Sequence, residues 1–378
     1  MKLLLLIAAS LLAPSLFAQV PQLSVPPAPS IAAKSFLLYD FQSGQAIAAR
    51  NPDERVEPAS LTKLMTAYVT FAALKQKRIE LSQVVPVSQQ AWRAEGSRMF
   101  IEPRTPVSVD ELIHGMIIQS GNDACIALAE AVAGSEQTFV ELMNREAQRM
   151  GMKNTHFANA TGLPNAQHYS SARDLALLAS AVVRDFPEYY PLYSQKEFRY
   201  NKIAQANRNR LLWSDPSVDG MKTGYTENAG YCLISSAKRN QRRLISVMLG
   251  TSSETMRAQE SQKLLNYGFQ FYDTVRLYQK DQMVATLQVW KGAGSTLKAG
   301  FAGDLYLTIP KGLAERLQAS LETQQPLIAP VAAGARVGNM KLTLDGKPFT
   351  EVPVVALEDV AAGNIFQRGW GSIRLMFK

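Results

Sequence analysis

Pro58-Ala59-Ser60-Leu61-Thr62-Lys63-Leu64-Met65 is the stretch around which the rest of the chain can be read. Leu61, Leu64, Met65, Tyr68 and Ala72 recur at helical spacing, so the pattern predicts a core-facing helix that starts at Ser60 and carries Lys63 one turn on. Hydroxyl and amine then share one face. A serine hydroxyl is a poor nucleophile until a base takes its proton, and a lysine amine kept neutral by burial is such a base. The same residues also read as an N-cap serine followed by a solvated lysine. S-x-x-K recurs at Ser235 to Lys238 and Ser295 to Lys298, so this pattern decides nothing by itself.

Two later elements shift the balance. Ser120-Gly121-Asn122 lies between the apolar segment Leu112 to Ile118 and a helical pattern through Ala124, Leu128 and Ala129, and reads as a polar loop joining two packed helices. Lys222-Thr223-Gly224 is the only K-T-G and stands where a short strand pattern begins. S-x-x-K, an S-x-N-like element and K-T-G are the trio of penicillin-binding proteins and class A β-lactamases, and all three occur here in that order.

On these motifs the chain resembles a low-molecular-mass penicillin-binding protein, a serine-type D-alanyl-D-alanine carboxypeptidase of the family that trims peptidoglycan stem peptides. Gly96-Ser97-Arg98-Met99-Phe100, Ser120 to Cys125, Asn154-Thr155-His156-Phe157, Ser170 to Asp174 and Asn207-Arg208-Asn209 extend the likeness over residues 34 to 265. Two departures are Arg210, where the family often has Gly, and Tyr225, where His often follows K-T-G. The resemblance implies Ser60 as nucleophile, Lys63 as its base and Ser120 as a proton relay. It implies that Asn122 holds the substrate's peptide groups and that the backbone N–H groups of Ser60 and Tyr225 receive the oxyanion. Lys222, Thr223 and Gly224, with Arg257 on the rim, would face the terminal carboxylate, while Arg208 would hold the site together. β-Lactam antibiotics and peptidoglycan stem peptides are the implied partners.

The 378 residues are too many for one ordinary core, and with 47% hydrophobic and 19% charged residues the balance is globular. Lys2, the apolar run to Leu12 and Ser15-Leu16-Phe17-Ala18 read as a secretory signal peptide over residues 1–18, too short to span a bilayer. Its removal takes only Lys2 and lowers the formal charge from +8 to +7. A basic protein outside the cytoplasm, periplasmic by this reading, suits anionic wall polymer and lipid headgroups, not nucleic acid. Cys125 and Cys232 sit in apolar helix and strand patterns and read as buried free thiols, although export would permit a disulfide. His114, His156 and His168 show no ligand spacing, so neither metal nor other cofactor is expected, and His156 reads as a packed structural residue.

Strand patterns at Phe36 to Asp40 and Gln45 to Arg50, then at Val218 to Thr223, Tyr231 to Ala237 and Leu244 to Gly250, flank a largely helical region from Ser60 to Phe186. This predicts one antiparallel sheet built from both ends of residues 19–277 and flanked by helices, an α/β catalytic domain resembling the β-lactamase/transpeptidase fold. Residues 278–362 read as a small all-β domain, with Asp345-Gly346 a hairpin turn. In the tail, residues 363–378, Phe366, Trp370, Ile373 and Phe377 fall on one helical face with Arg368, Arg374 and Lys378 off it, as in a helix lying on an anionic membrane surface. The same tail reads alternatively as packed on the second domain, or as frayed, because Gly369 and Gly371 weaken a helix.

Three other functions compete. A class A β-lactamase needs a glutamate to activate the deacylating water, and none lies between Met152 and Asp174. An endopeptidase acting on D,D-crosslinks would use the same acyl transfer with a larger leaving group. A penicillin-recognising wall scaffold would have no need of Ser60, Lys63 and Lys222 together.

Overall fold

The computed structural model describes residues 25–376. The signal peptide read at residues 1–18, and Phe377 and Lys378 of the tail, lie outside the described residues.

The central sheet is antiparallel and runs, edge to edge, Ala46–Arg50, Ser35–Asp40, Arg242–Thr251, Gly230–Arg239 and Val218–Thr226. Its inner strands are apolar on both faces because both faces are covered. Successive strand residues point to opposite sides. Leu37, Cys232, Ile234, Ile245 and Val247 therefore meet the helices Lys63–Lys75, Asn122–Ala133 and Ala172–Asp185, while Phe36, Leu38, Leu233, Leu244 and Met248 meet the closing helix Glu254–Phe271 through Leu264 and Leu265. Gly268 sits where that helix crosses the sheet, and a Cβ there would come within 2.7 Å of Leu38 and Leu244. Cys125 and Cys232 are both buried free thiols.

The strand Tyr272–Tyr278 continues directly from the closing helix and pairs with Leu305–Pro310. Beyond it lies a six-stranded sheet ordered Leu317–Thr323, Arg336–Leu344, Lys347–Ala356, Thr296–Gly300, Met283–Trp290 and Leu327–Ile328, over a core of Leu297, Ile309, Val337 and Val354. Asp345 and Gly346 turn between two of its strands with φ of 52° and 74°, both in the left-handed region that a tight hairpin of this twist demands. This all-β domain is joined to the first by Arg242. Its guanidinium pairs with the buried carboxylate of Asp40 at 3.0 Å and donates to Thr274 Oγ1 at 2.6 Å, on the strand that pairs with Leu305–Pro310. The tail forms the helix Ile365–Met376, whose Phe366, Trp370 and Ile373 stand exposed to solvent. No helix among the described residues is long and apolar enough to cross a membrane.

Candidate active site

Ser60 does not begin an α-helix as its spacing suggested. It lies in a 3-10 turn, Ala59–Thr62, that feeds the α-helix beginning at Lys63. Three residues per turn stack positions i and i+3 directly over one another. The Lys63 ammonium nitrogen accordingly lies 3.1 Å from Ser60 Oγ. The tight turn is held by a close approach: Ala59 has φ 48°, and a Cβ on Gly162 would stand 1.9 Å from the Ala59 carbonyl oxygen. Only glycine fits there. The two other S-x-x-K pairs fail on geometry, since Ser235 and Lys238 share a strand and Lys298 lies in the strand Thr296–Gly300, where residues three apart face opposite ways.

Lys63 is buried and makes two further contacts, to Asn122 Oδ1 at 2.7 Å and to the Thr161 carbonyl at 2.6 Å. Burial pushes its pKa down to about 8; the Arg208 charge adds to this, while Cys125 and Asp123 oppose it. Ser120 follows a π-helical turn, Gly115–Gln119, in the left-handed conformation (φ 69°), and Asn122 opens the next helix. The buried Lys222 reaches across from the edge strand Val218–Thr226 to within 2.9 Å of Ser120 Oγ. Its amine is pushed well below the ordinary lysine value, first by burial and then by the charges of Lys63 and Arg208.

Ser60, Ser120, Asn122, Thr223, Gly224 and Tyr225 line one cavity of about 520 Å³, with Lys63 and Lys222 beneath its floor. Arg257 also lines it, but the expected position on the rim is corrected. The residue is buried, and its guanidinium donates to the Gly224 carbonyl at 3.3 Å, lies 3.5 Å from Glu254 and stacks over Tyr231. Arg208 is corrected the other way. Expected to hold the site together, it is exposed, lines the cavity and makes no ion pair among the described residues.

Several residues of the site carried no assignment in the sequence. Thr161 contributes only its backbone carbonyl, which any residue type supplies. Asp123, directly after Asn122, is buried and accepts the N–H groups of Met99, Phe100 and Ile101, tethering the loop that forms one cavity wall. The packed histidine is His168, not His156. Ala158 N–H donates to its Nδ1 at 3.2 Å, so Nε2 carries the proton and donates to Thr62 Oγ1 at 2.8 Å, behind the turn that carries Ser60. Burial, with the charges of His156 and Lys63, pushes its pKa down to about 4.

Residues 22–253 match the family described as D-alanyl-D-alanine carboxypeptidase. The chain belongs to this family. Residues 272–362 match the C-terminal domain of penicillin-binding protein 5. D-alanyl-D-alanine carboxypeptidase DacC of Escherichia coli K12 is 45% identical over 360 residues, covering 93% of this chain and 90% of that protein. The crystal structure of penicillin binding protein 5 from Haemophilus influenzae superposes with a TM-score of 0.84 at 42% identity, covering 88% of this chain and 98% of that one. Penicillin-binding protein D2 from Listeria monocytogenes, in its ampicillin-bound form, superposes with a TM-score of 0.60 at 30% identity, covering 64% and 99%. As a member of the family the chain is a serine-type D-Ala-D-Ala carboxypeptidase, which hydrolyses the terminal bond of peptidoglycan stem pentapeptides through a serine acyl-enzyme. The endopeptidase and scaffold readings are not favoured.

Proposed function

We propose that Ser60 is the nucleophile of this hydrolysis and Lys63 its base. The observation that carries this is the setting of the Lys63 amine. A neutral amine has two hydrogens and one lone pair. The carbonyl oxygens of Asn122 and Thr161, at 2.7 and 2.6 Å, take the hydrogens, which leaves the lone pair for the Ser60 hydroxyl at 3.1 Å. Ser60 attacks the carbonyl of the penultimate D-Ala while its proton passes to Lys63. The backbone N–H groups of Ser60 and Tyr225 receive the oxyanion. The proton taken up by Lys63 is relayed through Ser120, held by Lys222, to the departing amine of the last D-Ala, and water then hydrolyses the ester. Asn122 also aligns the acyl part. Lys222, Thr223 and Gly224 form the bed for the terminal carboxylate, with Arg257 behind them fixing Gly224.

Residues 19–277 carry this chemistry, residues 278–362 form a β-rich platform, and residues 363–378 rest on the membrane. The signal-peptide pattern supports a periplasmic place for the mature protein. The exposed apolar face of Phe366, Trp370 and Ile373 supports peripheral attachment to the inner membrane through its anionic surface. β-Lactams, strained amides that mimic the D-Ala-D-Ala end, acylate the same serine.

The test is Ser60→Ala. The variant is expected to keep its fold by circular dichroism, to take up no penicillin covalently, and to release no D-Ala from a pentapeptide. Covalent labelling of a folded Ser60→Ala protein would overturn the assignment.

A further inference from the structure

The charge of the cavity is one-sided. Arg98, Arg208 and Arg257 line it, and among the described lining residues Glu254 is the sole carboxylate. That carboxylate is already shared between Arg210 at 3.3 Å and Arg257 at 3.5 Å. Two guanidinium groups, those of Arg98 and Arg208, are left facing the space without an acidic partner among the described residues.

They do not serve the same end. Arg208 is among the leading charges that weigh on Lys222 and on Arg257, so it belongs with the group that meets the terminal carboxylate. Arg98 stands in the loop tethered by Asp123, and its guanidinium lies over the Phe100 ring at 5.2 Å. Phe100 itself is held at φ 69°, a left-handed conformation that is unfavourable for a bulky residue and persists only where its surroundings impose it. Here Asp123 fixes the N–H groups on both sides, and Gln205 Nε2 donates to the Arg98 carbonyl at 3.1 Å. The left-handed turn thus holds the Phe100 ring beside the Arg98 cation. A guanidinium that meets a ring and not a carboxylate keeps its N–H groups free for the two oxygens of a ligand carboxylate.

We propose that Arg98 reads a second carboxylate of the substrate, carried on the acyl part of an acidic stem peptide. This rests on the carboxypeptidase reading above. The departing D-Ala brings one carboxylate, which lies with Lys222 and Thr223. Any further one must belong to the part that stays on Ser60.

The experiment compares two pentapeptides ending in D-Ala-D-Ala that differ only in whether the third side chain ends in a carboxylate or its amide. kcat/KM for D-Ala release is measured with the wild-type protein, Arg98→Gln and Arg98→Lys. The wild type should prefer the carboxylate peptide by about three- to tenfold, the range for a part-exposed charge-assisted contact. Arg98→Gln should bring the ratio to one, and Arg98→Lys, which keeps the charge but loses the fork, should fall between. A ratio is independent of how much of each variant is folded. A wild-type ratio of one, or an unchanged ratio in Arg98→Gln, overturns the inference while release from both peptides leaves the carboxypeptidase reading intact. No release from either peptide by the wild type brings down that reading, and the inference with it.

Discussion

The buried carboxylate of Asp123 accepts the backbone N–H of Phe100 at 2.8 Å and thereby locks a left-handed residue into the wall of the active site. Oδ1 takes the N–H groups of Met99 and Ala124, and Oδ2 those of Phe100 and Ile101. Asp123→Asn replaces one acceptor by an NH2 group that faces two donors. Leaving buried donors unpaired costs about 1–3 kcal/mol each. The urea midpoint is expected to fall by the equivalent of about 2–6 kcal/mol at an unchanged m-value. A midpoint within experimental error of the wild type would show that the loop holds itself.

As the base proposed above, Lys63 gives the reaction a pH dependence of defined sign. With its pKa near 8, the amine is mostly protonated below that value and cannot take the Ser60 proton. The rate of acylation by penicillin should therefore rise about tenfold per pH unit up to about pH 7 and level off above about pH 9. A rate that is flat from pH 5 to 9 would mean that another group takes the proton.

His168 ties stability to pH in the acid range. Its pKa is about 4 in the folded protein against 6.5 for the free side chain, so between those values the unfolded chain takes up a proton that the folded chain refuses. Stability is then lost as pH falls through that window, by about 3 kcal/mol in all. His168→Gln, which keeps a hydrogen-bonding group beside Thr62 but cannot titrate, should lose less stability between pH 7 and 4.5 than the wild type does, as read by urea unfolding at each pH. Parallel losses in the two proteins would place the acid sensitivity elsewhere.

The site was legible where the proposed chemistry demands a residue type. Ser60, Lys63, Ser120, Asn122 and Lys222, which the structure brings together, could be named because few side chains suit that chemistry, and the sheet's two halves could be named because their strands are continuous apolar runs. Position relative to solvent was less legible. Arg257 and Arg208 exchange their expected places because what buries an arginine is the carbonyl and ring it meets, Gly224 and Tyr231 here, and neither contact is written in local spacing. The 3-10 turn at Ser60 was hidden because apolar residues at i, i+3 and i+4 look alike whether the first turn closes on three residues or four. Tyr272–Tyr278 escaped because its residues are half-buried along most of its length, with no alternation to read.

The tail offers a prediction separate from the chemistry. Phe366, Trp370 and Ile373 are exposed to 87%, 63% and 51%, a cost in water that a lipid surface would relieve. Mature protein truncated after Ala362 is expected to stay in the supernatant when anionic vesicles are sedimented, whereas the full mature chain is expected to pellet with them. Equal sedimentation of both would remove the tail as an anchor.

The pairing of Phe36 with Met248 sets the order in which the molecule can come into being. The strand Arg242–Thr251 is the middle of the sheet, and the strand it must join was synthesised roughly two hundred residues earlier, a separation that makes closure slow. Until that late strand arrives, the strand Gly230–Arg239, which packs on the turn bearing Ser60, lacks its inner neighbour, and the pocket that buries Lys63 is incomplete. On the proposed mechanism a chain that ends before this strand is for that reason inert: Ser60 is activated only by the completion of the sheet, after 251 of the 378 residues have been made.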